Sequence, residues 1–333
     1  MNIESTVSFD QLERVAPYND APLYAGFDVK TLALQRPDAH LVHLRDGRPC
    51  ARASLWWNDA PQLPEGRAGA IGHYAALDDT SALALLDAAC ARLAEQGCTQ
   101  AIGPMDGNTW RRYRFVTDRG TEPPFFMEPD NPDDYPAQWE SACFERESTY
   151  YSGLVTDLTR RDPRLRGVAE RMRADGVRLR TFDPGDSEAE LGRIYGISIA
   201  SFTRNHLYTP LPEEEFREQY RAVMPYGRPE LAILAEQDGE PVGFMFALPD
   251  LAQAQRGEEI DTVIVKTAAV LPERRHAGLG AILVERVQLT AADMGFRRGI
   301  HALMYESNTS RSISAHYATT MRRYTLYSKR ITT

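Results

Sequence analysis

The chain has 333 residues, 43% of them hydrophobic and 26% charged, which is enough for two globular domains. A net charge of −9 without a basic stripe argues against a nucleic-acid partner. No apolar run is long enough to cross a membrane and the polar start is unlike a signal peptide, so we expect a cytoplasmic protein. Cys50, Cys90, Cys98 and Cys143 lack metal-binding spacing, which predicts no metal site and four buried thiols.

The N-terminal half begins with a predicted hairpin. Two apolar runs, residues 40–44 and 50–57, flank Asp46-Gly47, a dipeptide typical of two-residue hairpin turns. A strand is predicted at residues 69–77 and another at residues 99–102, with a helix between them.

The loop before that helix carries acids where glycine would be needed to bind an anion. Asp78 and Asp79 precede Thr80-Ser81, and the helix is predicted from residue 82 to 96. Carboxylates at a helix N-terminus take the place of an anionic ligand and repel it. We therefore expect this loop not to hold a pyrophosphate.

The C-terminal half shows the same order with additional helices. Residues 177–182 are predicted as the opening strand, and residues 188–204 have the apolar spacing of a helix. Pro212, followed by three glutamates, is typical of the start of a second helix. Asp238-Gly239 predicts a second hairpin.

Residues 269–281 form the most informative segment. The apolar run 263–265 leads into a strand at 267–270, a tight loop contains Gly278 and Gly280, and an amphipathic helix follows as far as Gly295. Such a turn leaves backbone N–H groups unpaired, and with the helix dipole they suit a phosphate. Lys-Ser or Lys-Thr does not follow, and the third glycine of a dinucleotide fingerprint is missing.

Residues 270–280, with Arg-x-x-Gly-x-Gly at 275–280, resemble the acetyl-CoA pyrophosphate loop of the GCN5-related N-acetyltransferases (GNAT). A strand at 300–305 and a helix opened by Glu306-Ser307-Asn308 follow in that family's order. The resemblance implies an α/β fold with a mixed sheet. The matching order of the halves implies two tandem GNAT-like folds, a degenerate one at 1–155 and a catalytic one at 156–333. The last strand of this fold often pairs across a partner, which blurs the boundary near residues 151–166.

The resemblance also implies acetyl-CoA as co-substrate. Strand N–H groups would polarise the thioester carbonyl, the loop would wrap the pyrophosphate mostly through its main chain, and Asn308 would contact the pantetheine arm. The implied binding residues are Ala268, Ala269, Val270, Arg275, His276, Ala277, Gly278, Leu279, Gly280, Ala281 and Asn308. We expect the His276 side chain to be exposed.

Acyl transfer to an amine needs a proton acceptor, because an alkyl amine is protonated at neutral pH, and the leaving thiolate takes up a proton. The candidate bases are the carboxylates beside the two central strands, Glu259, Asp261 and Glu306. The family usually places its acidic tyrosine where this chain has Ala315, so Tyr317 and Tyr305 are the alternatives.

Three loops and the last strand complete the pattern. Residues 103–110 resemble a Gly-Pro-Met…Thr-Trp segment of bacterial tandem GNAT-like proteins, and residues 123–132 continue the likeness. These loops either shape an acceptor pocket or pack rigidly between the halves. In GNAT folds the loop corresponding to residues 204–208 lines the acceptor site. Residues 322–329 alternate apolar and polar, which predicts a closing edge strand with solvated basic residues.

We predict an acyl-CoA-dependent N-acyltransferase that is active in its C-terminal half and uses acetyl-CoA. Its acceptor would be a small amine or an amino-acid-like molecule, and the protein would be a monomer or homodimer. The N-terminal half is predicted not to bind CoA. The alternative is a non-catalytic, CoA-binding or sensory protein, which the missing tyrosine favours. The aminoacyl-tRNA-dependent transferases also pair GNAT-like folds, but the acidic charge and the intact loop argue against that class.

Overall fold

The computed structural model describes residues 4–9, 15, 18, 21–25, 27–28, 30–307 and 310–331. These residues form one 13-stranded mixed sheet with helices on its faces. The strands are β1 Glu4–Phe9, β2 Ala39–Arg45, β3 Arg48–Trp56, β4 Ala68–Ala76, β5 Gln100–Gly103, β6 Phe115–Asp118, β7 Glu145–Val155, β8 Val177–Thr181, β9 Ala232–Gln237, β10 Glu240–Pro249, β11 Thr262–Val270, β12 Arg298–Tyr305 and β13 Thr319–Arg330. The α-helices are α1 Lys30–Gln35, α2 Asp79–Glu95, α3 Tyr135–Ser141, α4 Leu165–Ala174, α5 Ser187–Phe202, α6 Glu213–Val223, α7 Leu251–Gln255, α8 Leu279–Asp293 and α9 Ser310–Tyr317.

From each edge of the sheet toward its centre, the two halves place the same kinds of strands in the same order. The strand order across the sheet is β1-β2-β3-β4-β5-β13-β7-β12-β11-β10-β9-β8, with β6 also paired to β13. Each half contributes one outer strand, a hairpin and a parallel pair, which is β4 with β5 in the first half and β11 with β12 in the second. The last strands of the two halves, β7 and β13, pair with each other at the centre. The fold is thus a tandem α/β arrangement, as the order of elements predicted.

The prediction that the last strand closes an edge of the sheet is wrong. β13 lies between β5 and β7, so the last strand of the C-terminal half completes the N-terminal half. β7 in turn lies beside β12 and completes the C-terminal half. An alternating pattern reports the two faces of a strand and carries no information about its neighbours. The proposed division at residue 155 therefore separates the chain without separating the sheet.

The expectation of solvated basic residues on this strand is also wrong for Arg322. Its side chain is 1% exposed and pairs with Glu128 of the N-terminal half, with Nε 3.2 Å from Oε1. Arg323 is half exposed and pairs with Glu306. A buried guanidinium requires such a partner, because an isolated charge in the interior is strongly destabilising.

Local predictions agree with the structure at the turns and caps. Both hairpins turn at Asp-Gly pairs in the left-handed region, with φ of 50° and 76° at Asp46 and Gly47 and of 55° and 85° at Asp238 and Gly239. The cysteines agree only in part. Cys90 and Cys98 are buried, whereas Cys50 is half-buried and Cys143 is exposed. None of the described helices is long and apolar enough to span a membrane.

Helix α8 is held on the sheet by the apolar stripe that the sequence predicts. Leu279, Leu283, Val287 and Ala291 are each 0% exposed and pack in the core of the C-terminal half. Full burial of such aliphatic side chains contributes roughly 1.5–3 kcal/mol for each leucine or valine. The stripe therefore places the N-terminus of α8 beside the end of β11.

Candidate active site

The parallel strands of the C-terminal half separate at their carboxyl ends. β11 and β12 pair over four residues, as far as Val265 with His301. Beyond this point β11 remains paired with β10, and β12 remains paired with β7 after a register shift between His301 and Met304. A gap consequently opens at Lys266, and a cavity of about 870 Å³ extends from it.

Both halves of the chain line this cavity. The C-terminal half contributes the two strands at the gap, Gly280 and Val284 of α8, and Ser314 of α9. The N-terminal half contributes a wall through residues 109–114 and 127–130. The loop after α5 adds Asn205, His206 and Tyr208 to the cavity lining.

Trp110 shows that the two interpretations of the N-terminal loops are compatible. It lines the cavity, and its indole Nε1 donates a hydrogen bond to the Thr209 carbonyl at 2.8 Å. Its ring also packs against Phe202 and Phe216 of the C-terminal half. The loop thus joins the two halves and shapes the cavity at the same time.

The start of α8 presents free backbone donors. Gly278 is the N-cap, with a φ of 92°, and within the described residues its N–H and those of Leu279, Gly280 and Ala281 have no hydrogen-bond acceptor. The helix dipole adds partial positive charge at this point. These four N–H groups suit a phosphate or pyrophosphate.

The loop before them is folded on itself. The N–H groups of His276 and Ala277 donate to the carbonyls of Glu273 and Arg274 at 3.0 and 3.1 Å in a 3-10 turn. The Nε of Arg275 donates to Glu273 at 2.8 Å. Of the N–H groups of residues 276–281, those of His276 and Ala277 are therefore already hydrogen-bonded within the loop. Those of residues 278–281 are free to bind a ligand.

The expectation of an exposed His276 is wrong. The side chain is 2% exposed, and its Nε2 lies 3.0 Å from Oε1 of Gln237 on β9. Residues that follow a strand can fold back over the sheet, and sequence spacing does not indicate this. His276 anchors the loop to the hairpin.

The structure accounts for the glycines at positions 278 and 280 by different physical reasons. A Cβ on Gly278 would lie 2.7 Å from Cγ1 of Val168, so packing against α4 and the positive φ both require glycine there. A Cβ on Gly280 would meet only Ile313 and Val270, at 3.8 and 3.9 Å. Gly280 faces the cavity, and a larger side chain at this position would enter the cavity.

Of the three strand residues expected to bind the co-substrate, Ala268 lines the cavity, whereas Ala269 and Val270 do not. Ala268 is exposed, Ala269 is 3% exposed, and Val270 is partly buried. Ser201 of α5 donates a hydrogen bond to the Val270 carbonyl at 2.9 Å. Asn308, the expected contact of the pantetheine arm, lies outside the described residues.

The three predicted catalytic residues are not brought together. The Tyr317 hydroxyl donates to Glu285 of α8 at 3.2 Å, and the residue is not among those lining the cavity. Glu306 pairs with Arg323, and Asp261 accepts hydrogen bonds from Gln253 and Thr262 at the closed end of β11.

Of the remaining candidates, only Tyr305 borders the cavity. Its ring stacks on His206, with centroids 5.8 Å apart. Glu259 is exposed and absent from the cavity lining.

A buried polar pair was missed by the sequence analysis. His301 Nδ1 lies 2.9 Å from Oγ of Ser314, and its Nε2 lies 3.3 Å from Oε1 of Gln288. Burial lowers the pKa of His301 to about 4, which makes the ring neutral at pH 7. A histidine within the otherwise apolar run of residues 300–304 was the available sequence signal.

Lys266 and Arg114 were also missed. Lys266 interrupts the apolar run of β11 exactly where the gap begins, and a lysine inside a buried strand is an uncommon pattern. Arg114 lies in the N-terminal half, and sequence spacing gave no reason to place it against β11. Both side chains line the cavity.

The corresponding gap in the N-terminal half is closed by its own chain. β4 and β5 pair as far as Ala70 with Ile102. The Met105 N–H then donates to the Ile71 carbonyl at 2.8 Å, and Asp106 accepts a hydrogen bond from the His73 N–H at 2.7 Å.

The N-terminus of α2 is likewise occupied. Asp78 caps it by accepting from the Ser81 N–H at 2.8 Å, and Arg45 pairs with the same carboxylate at 3.0 Å. This half therefore offers neither the gap nor the free helix N-terminus of the C-terminal half.

Comparison with known proteins agrees with this geometry. Residues 191–316 match the family model of the acetyltransferase (GNAT) family. Mycothiol acetyltransferase of Streptomyces griseus subsp. griseus is 32% identical over 116 residues, which are 35% of this chain and 34% of that protein. The matched region thus spans about a third of the curated relative.

Two solved structures cover nearly the whole chain. A GCN5-related N-acetyltransferase from Sphaerobacter thermophilus has a TM-score of 0.51 at 13% identity, over 98% of this chain and 96% of that one. A tandem GNAT protein from the clavulanic acid biosynthesis pathway has a TM-score of 0.50 at 12% identity, over 98% of each chain. At these identities the likeness concerns the fold alone. The family match thus covers residues 191–316 of the C-terminal half, and the likeness of the whole chain to the tandem GNAT protein is one of fold.

Proposed function

We propose that this protein is an acyl-CoA-dependent N-acyltransferase whose single CoA site is the gap between β11 and β12. The observation that carries the proposal is the continuity of one cavity. It runs from Gly280 at the free N-terminus of α8, along the gap, to a chamber walled by the N-terminal half. A pyrophosphate, a pantetheine arm and an acceptor amine require this succession of environments.

Acetyl-CoA, the proposed donor, supplies the acetyl group as an activated thioester. The N–H groups of residues 278–281 would hold its pyrophosphate. N–H groups of β11 that face the gap, from Lys266 to Val270, would donate to the thioester carbonyl oxygen and stabilise negative charge there. The chamber beyond the gap would hold the acceptor amine in line with that carbonyl.

Ser314 is our candidate for the group that hydrogen-bonds the leaving thiolate. It belongs to α9, lines the cavity, and is held by the neutral His301. Tyr317, one of the two tyrosines predicted as the acid, donates its hydroxyl hydrogen bond to Glu285 instead. Ser314 would thus stabilise charge on the sulfur and would not act as a strong acid.

The N-terminal half, residues 1–155, would not bind CoA and would serve as a wall of the acceptor chamber. Its closed gap and the Asp78 cap support this assignment. Because β7 and β13 exchange between the halves, the second half alone would lack a central strand and a cavity wall. The test of function therefore uses the whole chain.

Calorimetry with CoA tests the site. Gly280→Asp would place a carboxylate at the start of α8 with little steric cost. We expect its CoA affinity to fall by about tenfold or more, because like charges repel at a helix N-terminus. Gly167→Asp is the matched control, since it adds the same charge to the first turn of α4, where a Cβ meets nothing within 4 Å. Wild-type protein that binds no CoA, or Gly280→Asp that binds it normally, would refute the site.

A non-catalytic CoA-binding protein is the second candidate. It is favoured by one observation, that Tyr317, Glu306 and Asp261 do not converge on the cavity. Release of free thiol from acetyl-CoA in the presence of an amine panel separates the two. Amine-dependent thiol release supports the transferase, and CoA binding without it supports the alternative.

A further inference from the structure

Four cations are among the described residues that line the acceptor chamber, Arg111, Arg112, Arg114 and Lys266. Arg111 pairs with Glu215 and Arg112 is exposed, whereas Arg114 and Lys266 come from different halves and are at least partly buried. Arg114 comes from the N-terminal wall and is 6% exposed, and Lys266 comes from β11 at the mouth of the gap and is half-buried. Their proximity has an electrostatic consequence, since burial and the Arg114 charge lower the pKa of Lys266 to about 8. Two like charges at one cavity wall destabilise the free protein unless an anion joins them.

Arg114 is positioned by aromatic rings and lacks a carboxylate partner within the described residues. Its guanidinium carbon lies 4.0 Å from the ring centre of Tyr113 and 4.2 Å from that of Tyr150. One donor, Nη1, reaches the Leu303 carbonyl at 3.3 Å, and Nε is buried without a hydrogen-bond partner. Ring faces stabilise the cation but leave donors on its edge available.

Lys266 is also free of short-range partners. Among the described residues its Nζ takes part in no hydrogen bond and no ion pair within 4.0 Å. The chain contains three lysines, Lys30, Lys266 and Lys329, among 38 basic residues, and this one alone lines the cavity. Its ammonium is thus available to a molecule in the chamber.

The charge of Glu128 acts to raise the pKa of Lys266, but both carboxylates of the cavity wall are engaged with other partners. Glu128 accepts from the Tyr324 hydroxyl and from the Phe125 N–H at 3.2 Å, and it pairs with Arg322. Asp130, the other acid among the described lining residues, pairs with Arg119 at 2.8 Å. Both negative charges are therefore already matched by arginines that lie outside the cavity lining.

We propose that the acceptor is an amine that carries a carboxylate, and that Arg114 and Lys266 bind this carboxylate. The inference rests on the proposed acyltransferase function and narrows its substrate class. The carboxylate would take the Lys266 ammonium and the open edge of Arg114 in charge-assisted hydrogen bonds. Trp110, Tyr113 and Tyr208 would pack against the body of the molecule.

The test compares amines that differ only in the carboxylate. The pairs are phenylalanine with phenethylamine, 4-aminobutyrate with propylamine, and 6-aminohexanoate with pentylamine, so that the spacing between the charges varies. Free-thiol release with acetyl-CoA gives kcat/KM, and calorimetry with the CoA-loaded protein gives acceptor binding without turnover. We expect at least one acid to exceed its partner by about ten- to hundredfold.

Two variants locate the effect. Lys266→Met removes the charge at nearly the same size, and we expect it to reduce the preference to within about threefold while CoA affinity stays unchanged. Lys329→Met is the matched control, because Lys329 of β13 donates to the carbonyl of Ala142 at the end of α3 and does not line the cavity. Arg114→Lys keeps a charge between the same rings and should retain part of the preference.

The outcomes separate this inference from the proposed function. Equal kcat/KM and equal binding within every pair, with thiol released, would overturn the carboxylate site and leave the transferase intact. A preference seen only in binding, without thiol release, would support the site and refute the transferase. Loss of CoA affinity in Lys266→Met, with acceptor preference unchanged, would overturn the site by assigning Lys266 to CoA.

Discussion

The ion pair between Glu128 and Arg322 tests whether the exchanged strand joins the halves energetically. Both side chains are 1% exposed, and they come from different halves of the chain. Glu128→Gln keeps the size and an acceptor oxygen but removes the charge that balances Arg322. Because a buried guanidinium is then uncompensated, we expect a loss of about 3–5 kcal/mol in the free energy of unfolding.

The assay is urea unfolding followed by far-UV and near-UV circular dichroism. Glu170→Gln is the control, since its partner Arg166 is 88% exposed and such surface pairs contribute less than about 1 kcal/mol. The double variant Glu128→Gln with Arg322→Met should recover part of the loss, because no unpaired charge remains. A loss below about 1 kcal/mol, or two separate transitions in the wild type, would refute the reasoning.

The other predictions concern the site and its loop. Ser314→Ala should lower kcat about tenfold without changing CoA affinity, whereas Tyr317→Phe should leave kcat within about twofold, measured by thiol release. Carboxylate binding should weaken by up to about tenfold per pH unit above pH 8, because Lys266 must be protonated to attract an anion, and calorimetry of Lys266→Met should show no such dependence. Gly278→Ala should reduce stability by about 1–3 kcal/mol through its φ of 92° and its contact with Val168, with partial recovery by Val168→Ala in thermal denaturation.

Part of the candidate site was predictable from the chain because its chemistry is local. The free N–H groups at the start of α8 follow from one strand, one loop and one helix, all within 20 residues of Gly278. The Asp78 cap on α2 was predictable for the same reason. A cap or an anion-binding turn needs only a few neighbouring residues to form.

The acceptor side was not predictable because its residues are far apart in sequence. Arg114 and Lys266 line the same cavity only because the two halves share one sheet. The residues predicted to transfer protons do not lie together in the structure, for a related reason. Tyr317 lies two residues beyond Ala315, the position that the resemblance gives to the acid, and its hydroxyl direction depends on how α9 packs against α8 and Glu285.

By itself, the sequence determined the strands other than β1, β6 and β7, the Asp-Gly hairpins, the apolar face of α8 and the position of the glycine-containing loop. These features depend on backbone preference and on the period of hydrophobic residues, which neighbouring residues decide. Only the tertiary structure decided that β13 lies at the centre of the sheet, that Arg322 is buried, and that the N-terminal half walls the chamber. A strand has two hydrogen-bonding edges, and which strands occupy them depends on the packing of the whole chain.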